Sequence, residues 1–341
     1  MIKRLLERVL EKQIKEVIGV GDEYKIMFFS SARGAIYSYF KSMGDGTDSV
    51  KTLVPDYVCN IMTKAIKSAR RGTLQTYELN ENLAPNGSDL HAKSNLFKPD
   101  VVVFAPIFGA YGDEYNHLIE TTLHSDNRPV VFLDAAQMID LVPAGLDGIA
   151  LSFNQKIING FYGGALVFNK ESMSELRFSF KPLTISKEIE FLTKYVEKRL
   201  RLRPQRFVKA SEMTDKGYQY SACSQFPFKP TVDEISMVSL IVAILEMLRI
   251  GNYRRNRRSN HQLLRKRLSS VPGLKIVDTE HIELSHFVPI LVKDPEALKK
   301  AATILDKMGL RLKRPYALDD DPLSSVRRYL YAVENPFFRL K

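Results

Sequence analysis

Apolar and polar residues follow two rhythms along this 341-residue chain. The first is helical. Ile2, Leu5, Leu6, Val9, Leu10, Ile14, Val17 and Ile18 recur at steps of three and four, with Lys, Arg and Glu opposite, which predicts an amphipathic helix. Its polar face carries Glu7, Glu11 and Glu16 among the basic residues, so packing on the body or on a partner subunit is expected rather than a membrane. From Tyr24 the rhythm shortens. The runs Tyr24 to Phe29, Leu53-Val54, Val101 to Phe104, Val130 to Leu133, Ile149 to Phe153 and Ala165 to Phe168 have the length and punctuation of buried strands. Between them, helices are predicted from Ser30 to about Met43, from Cys59 to about Ala69 with Gly72 as the stop, and from about Glu114 to Leu123. Residues 81–96, rich in Asn, Pro, Gly and Ser, read as a surface loop. Continuous apolar strands alternating with helices imply an α/β fold whose mostly parallel sheet is covered on both faces.

Beyond this region the pattern predicts a charged helix from Lys187 to Leu202 ended by Pro204, then a polar and aromatic loop over 205–230. A long helical pattern follows from Val232 to about Ser269, with Gly251 as its break. Strands at Leu274 to Val277, Phe287 to Val292 and Leu310 to Lys313, with a helix from Pro295 to Met308, form a small α/β layer. The expected organisation is an N-terminal helix (1–20), a large domain (21–230), and a linking helix with a smaller C-terminal domain (231–341).

Composition narrows the function. A hydrophobic content of 45% suits a well-formed core. The apolar runs are too short to span a bilayer and the first residues carry no leader pattern, so the cytoplasm is the expected compartment. Two cysteines, Cys59 and Cys223, exclude a disulfide framework, and with six scattered histidines no metal site is expected. The net charge of +11 favours anionic partners. The basic clusters at 199–206 and 254–258 have few interleaved aromatics apart from Tyr253, so nucleic acid is not expected, and solvated helix faces or a subunit contact explain them.

Two residues stand out chemically. Asp134 ends the run Val130 to Leu133, where a polar residue lies at the carboxyl edge of an α/β sheet. Lys156 is the only lysine between Phe132 and Phe168, in a short loop ending in Gly163-Gly164. Between two buried strands its amine is well placed to be desolvated and nucleophilic. A lysine and a carboxylate on neighbouring strand ends are what pyridoxal 5'-phosphate requires: one holds the aldehyde as a Schiff base, the other keeps the pyridine nitrogen protonated. A helix-capping Asp134 and a solvated Lys156 explain the spacing equally well. Upstream, Ser30 to Ala35 open a helix whose amino terminus could hold a phosphate, or be capped by an ordinary serine.

The string Asp134-Ala-Ala-Gln137, then Ser152-Phe153, Lys156 and Gly163-Gly164-Ala165-Leu166 resembles the signature of the DegT/DnrJ/StrS family, fold-type-I sugar aminotransferases dependent on pyridoxal phosphate. The resemblance covers about Met27 to Gly309. It implies that Lys156 is the Schiff-base lysine, that Gln137 bonds the cofactor's phenolic oxygen, and that Ser152 contacts its phosphate. Ser30 to Ala35 is similar to the family's Ser-Gly-Thr-x-Ala phosphate motif, with Ala32 and Arg33 replacing glycine and threonine, so the backbone of Arg33 and Gly34 is expected to bind. Cys59 stands where a side chain stacks on the pyridine ring. Asn154 stands where histidine is common, and Lys156 follows Ser152 by four residues where the family has five. Lys229 lies where an asparagine reaches the partner's phosphate. The implied protein is a homodimer that moves an amino group from an amino acid, glutamate foremost, to a keto-sugar on a nucleotide, commonly for cell-surface polysaccharide. A cysteine-desulfurase-like enzyme would want histidine before the lysine, where Gln155 stands, and a mobile cysteine, for which Cys223 is the loop candidate. A non-catalytic or regulatory relative is the remaining alternative.

Overall fold

The computed structural model describes residues 2–43, 49–69, 72–138, 141–154, 158, 160–171, 180–199, 232–277, 287–292, 294–310, 312–313 and 330–334. In chain order the elements are α1 (Ile2–Ile18), β1 (Tyr24–Phe29), α2 (Ala32–Ser42), β2 (Thr52–Pro55), α3 (Asn60–Ala69), β3 (Leu74–Tyr77), α4 (Gly87–Phe97) and β4 (Val101–Phe104). A single 3-10 turn, Ile107–Gly109, leads into α5 (Asp113–Leu123), β5 (Val130–Ala135), β6 (Gly148–Ser152), β7 (Gly164–Asn169) and α6 (Ile185–Arg199). The rest comprises α7 (Met237–Met247), α8 (Ile250–Leu268), β8 (Leu274–Ile276), β9 (Phe287–Val292), α9 (Pro295–Lys307), β10 (Leu312–Lys313) and β11 (Leu330–Glu334).

Seven strands form one sheet in the order β1-β7-β6-β5-β4-β2-β3. Its strands run parallel except β7, which is antiparallel to both β6 and β1. The reversal matters for the site, because it brings the beginning of β7 to the edge where the parallel strands end.

The central strands are buried on both faces, so β4, β6 and β7 run apolar almost without interruption, whereas the edge strands β1 and β3 expose Lys25, Gln75 and Thr76. Val102, Phe104, Val131, Leu133, Ile149 and Leu151 point to one face, where α1, α5 and α7 pack with Leu10, Ile14, Ile119, Leu123, Leu240 and Ala243. The alternate residues, Val101, Val103, Phe132, Ala150 and Leu166, meet Ile36, Tyr39, Phe40, Met62 and Ile66 of α2 and α3 on the other. Two buried tyrosines span the first layer. Tyr77 donates its hydroxyl to the carbonyl of Val103 at 2.9 Å, and Tyr115 to that of Ala105 at 3.1 Å. Burial pushes both phenols well above their ordinary pKa.

A second sheet, β10-β11-β9-β8, is antiparallel throughout. It packs on the end of α8 and on α9 through Leu264, Leu268, Val288, Ile290, Ala301 and Leu305. Val277 and Leu291 from this part join the α2–α3 side of the first core.

Five local expectations are corrected. Residues 87–97 form α4 rather than loop: Asn86 caps it by accepting from the N–H of Asp89 at 3.3 Å, and Lys98 closes it in a left-handed conformation. The apolar stripe of α1 is divided, with Leu10, Ile14 and Ile18 buried but Ile2, Leu5 and Val9 turned outward. The linking helix starts at Met237, where Ser236 accepts from the N–H of Ser239 at 3.0 Å. It breaks at Leu248-Arg249, so that Gly251 lies inside α8. At that break the buried carboxylate of Glu246 accepts from the Tyr253 hydroxyl and, at 3.4 Å, from Arg249 Nη1. Burial and the Glu246 charge push the Tyr253 phenol up to about 12. Arg257, one turn further on, is buried too, which pulls its guanidinium down to about 10. The 254–258 cluster is therefore not a uniformly solvated face.

Candidate active site

Parallel strands deliver their carboxyl ends, and whatever polar residues follow, to one edge of the sheet. Here that edge collects the segments after β1, β2, β4, β5 and β6, together with the start of β7. Ser152 pairs with Gly164, and Gly164 with Phe29, so the ends of β6 and β1 flank the start of β7 directly.

The segment after β1 becomes the start of α2. Ser31 is its cap, accepting from the N–H of Gly34 at 3.1 Å. The Gly34 amide that was expected to meet a phosphate thus also serves the serine cap. The eleven-residue helix directs its positive end toward the edge, where the α2 dipole favours an anion. Arg33 in its first turn is half-buried.

Close approach explains the glycine pair. Gly163 takes φ +89°, donates its N–H to the carbonyl of Ser30 at 2.9 Å and accepts from the N–H of Phe153 at 3.0 Å. At Gly164 a Cβ would stand 2.4 Å from the backbone nitrogen of Ala32 and 2.7 Å from the carbonyl oxygen of Leu151, so no larger residue fits between α2 and β6. The preceding Tyr162 also has a left-handed backbone, φ 53°. Its ring and that of Phe161 stack against α6, 5.5 Å from Phe191 and 5.4 Å from Tyr195 respectively.

After β5, Asp134 is half-buried and one of its oxygens, Oδ1, accepts from the N–H of Ala136 at 3.1 Å, which turns the chain. Gln137 is buried, and its Oε1 accepts from the N–H of Phe108 at 3.0 Å. That bond orients the amide: with the oxygen turned to Phe108, the NH2 group points elsewhere as a donor. Phe108 was not singled out from the sequence. Only Gly109 after it hints at a tight turn there, and the Phe108 backbone itself adopts φ 60°.

Ser152 is buried at the end of β6, and Asn154 is exposed in the turn that follows. Cys59 is half-buried just before α3, beyond the end of β2 and two strands away from β5. Lys156, Cys223 and Lys229 lie outside the described residues. The edge thus gathers Asp134, Gln137, Ser152 and the Ser31–Gly34 turn, with Cys59 further along. A small depression lined by Phe40, Val50, Thr52 and Gly72 lies at the opposite, amino end of β2 and carries none of this chemistry.

The donor set fits pyridoxal phosphate. A carboxylate stands at the edge for a protonated ring nitrogen, a helix amino terminus faces an anion, and a buried amide brings N–H donors of the kind an oxygen accepts from.

Neither a protein-family model nor a curated protein sequence matches the chain. Solved structures do. The aminotransferase TlmJ of Streptoalloteichus hindustanus superposes with a TM-score of 0.64 at 17% identity, over 97% of this chain and 85% of that one. DesI, solved with its TDP-sugar product, gives 0.60 at 15% identity, over 97% and 79%. NtdA of Bacillus subtilis, solved with bound cofactor PMP, gives 0.59 at 13%, over 98% and 78%. The fold is therefore the fold-type-I transferase α/β architecture expected from the sequence, and the chain is similar to aminotransferases along nearly its whole length. No helix among the described residues is long and apolar enough to cross a membrane.

Proposed function

We propose that this protein is a pyridoxal-phosphate-dependent aminotransferase that moves an amino group from an amino acid, glutamate foremost, to a keto-sugar carried on a nucleotide. The observation that carries the reading is the convergence of Asp134, Gln137, Ser152 and the capped start of α2 on one sheet edge, in a fold shared with aminotransferases.

When bound, the cofactor supplies an electron sink for chemistry at the carbon bearing the amine. The chain's own residues do the rest. Asp134 holds the ring nitrogen protonated. The amino terminus of α2, at Arg33 and Gly34, and the Ser152 hydroxyl receive the phosphate. Gln137 donates from its amide to the phenolic oxygen, oriented by Phe108. Cys59 lines the ring, and Asn154 stands at the mouth. Lys156 is the nucleophile that anchors the cofactor and afterwards carries the proton between neighbouring atoms.

The positive charge of +11 suits a nucleotide-linked substrate. The protein works in the cytoplasm, in a pathway that builds a cell-surface sugar polymer, and as a homodimer. The apolar stripe Ile185, Ile189, Leu192 and Val196 of α6, exposed next to the Phe161–Tyr162 loop, supports the dimer: its spacing of four, three and four is that of a helix-pairing seam. Likeness to aminotransferases favours this reading over a desulfurase-like or non-catalytic one.

The test is the absorption spectrum of the purified protein with pyridoxal phosphate, beside Lys156→Ala. A visible cofactor band that shifts on adding glutamate, and is lost or altered in the variant, upholds the reading. Absence of such a band in the wild type overturns it.

A further inference from the structure

The arc of apolar residues on α1 is wider than the core requires. Leu10, Ile14 and Ile18 fill the sheet core, whereas Ile2, Leu5 and Val9 are 64%, 63% and 41% exposed. The other exposed positions in the first three turns are Arg4, Arg8 and Lys12, one row at steps of four. Over the first three turns no acidic side chain enters this row; its next member, one step beyond Lys12, is Glu16. Glu7 and Glu11 are half-buried, and Glu11 pairs with Lys15 at 3.2 Å. Glu16 is exposed only at the far end, 3.9 Å from Lys12. Outward, then, α1 shows an apolar row beside a basic row.

Helix α7 packs against α1, and against α6 as well, and has exposed apolar residues of its own. Ile241, Leu245 and Leu248 are its exposed large residues, and the first exposed charge is Arg249 beyond its end. Six of the thirteen large hydrophobic residues exposed among the described ones belong to these two helices, which pack on one another.

We propose that the outward face of α1 and α7 docks the protein reversibly on an acidic phospholipid surface. Leu5, Val9 and their neighbours enter the boundary between headgroups and acyl chains. Arg4, Arg8 and Lys12 keep their stems along it and their charges at the anionic headgroups. Charge composition selects this occupant. The α6 stripe is flanked by both signs, Lys187, Glu190 and Lys194, with Glu190 paired to Lys194, which suits another protein surface. The α1 row is basic, which suits a negative leaflet. The inference does not depend on the cofactor reading.

The experiment is co-sedimentation of the full chain with vesicles of phosphatidylcholine alone, or of an equal mixture of phosphatidylcholine and phosphatidylglycerol. Wild type is expected to sediment with the acidic vesicles and to be released at about 1 M salt, where charges are screened within about 3 Å. Leu5→Ser with Val9→Ser, and Arg4→Gln with Arg8→Gln, should each keep the wild-type circular dichroism and melting temperature, since all four side chains are exposed. The arginine pair should lose about fivefold in partitioning for each charge removed, and the apolar pair at least as much. Wild type remaining in the supernatant, equal binding to both kinds of vesicle, or variants that bind like wild type would each overturn the proposal. So would a Leu5→Ser, Val9→Ser variant that turns a dimer into a monomer on analytical ultracentrifugation without vesicle binding by the wild type, which would make this face a contact with a second copy.

Discussion

The backbone N–H of Phe108 donates to Oε1 of Gln137 at 3.0 Å, and this one bond ties the turn after β4 to the turn after β5. Phe108 reaches it with φ 60°, an uncommon conformation outside glycine, while its ring meets that of Phe287 edge-on at 5.6 Å. A residue proposed to touch the cofactor is thus held by the large sheet's edge and, one step away, by the second sheet.

Replacing Gln137 by Met keeps the volume and removes the acceptor. The buried Phe108 donor is then unsatisfied, at a cost of about 1–3 kcal/mol. The expected result is a lower urea midpoint with an unchanged slope, together with weaker pyridoxal phosphate binding by fluorescence titration.

Gly164→Ala is expected to be worse than its size suggests. The new methyl would meet backbone on two sides, Ala32 nitrogen at 2.4 Å and Leu151 oxygen at 2.7 Å, and backbone cannot rotate away as a side chain can. Overpacking of this kind costs roughly 1–3 kcal/mol and moves the start of α2. Loss of stability accompanied by loss of cofactor affinity is the outcome to look for.

The two halves of the α1 stripe should separate in a stability measurement. Leu10→Ala, at 0% exposure, should cost about 2–5 kcal/mol. Leu5→Ala, on the outer face, should stay within about 0.5 kcal/mol. Thermal melts of both variants check this.

Stability should fall on the alkaline side. Burial holds the phenols of Tyr39, Tyr77, Tyr115 and Tyr253 above their ordinary pKa, Tyr253 at about 12. In the unfolded chain the same groups lose their protons near pH ~10. Above that value the unfolded state binds fewer protons than the native one, so the stabilisation present below it is lost as pH rises. Arg257, lowered to about 10, acts in the opposite direction, but it is one group against four. Urea midpoints should therefore drop between about pH 9 and about pH 11. Tyrosinate absorbance should show these four rings ionising only with unfolding.

The apolar strand runs were legible because burial on both faces leaves no alternation to misread: Val101 to Phe104, Val130 to Leu133 and Ala165 to Phe168 all lie in strands of the large sheet. Helix α4 was hidden because, apart from Leu90, little of it is buried, and its cap residues also signal a loop. The break in the linking helix was misassigned to Gly251, since the polar knot of Glu246, Arg249 and Tyr253 beside the true break depends on burial.

For the site, the sequence by itself determined the chemical inventory: a carboxylate at a strand end, an amide three residues on, a capped helix start, and two glycines before an apolar strand. These are local consequences of residue type and period. Only the tertiary structure decided that β7 runs antiparallel, which puts Gly164 beside Ser152 and Phe29, and that Phe108 orients Gln137. It likewise decided which half of the α1 stripe is buried and which faces water. The physical reason is the same in each case. Strand direction, backbone approach and burial are set by contacts between segments far apart in the chain, and no local pattern encodes them.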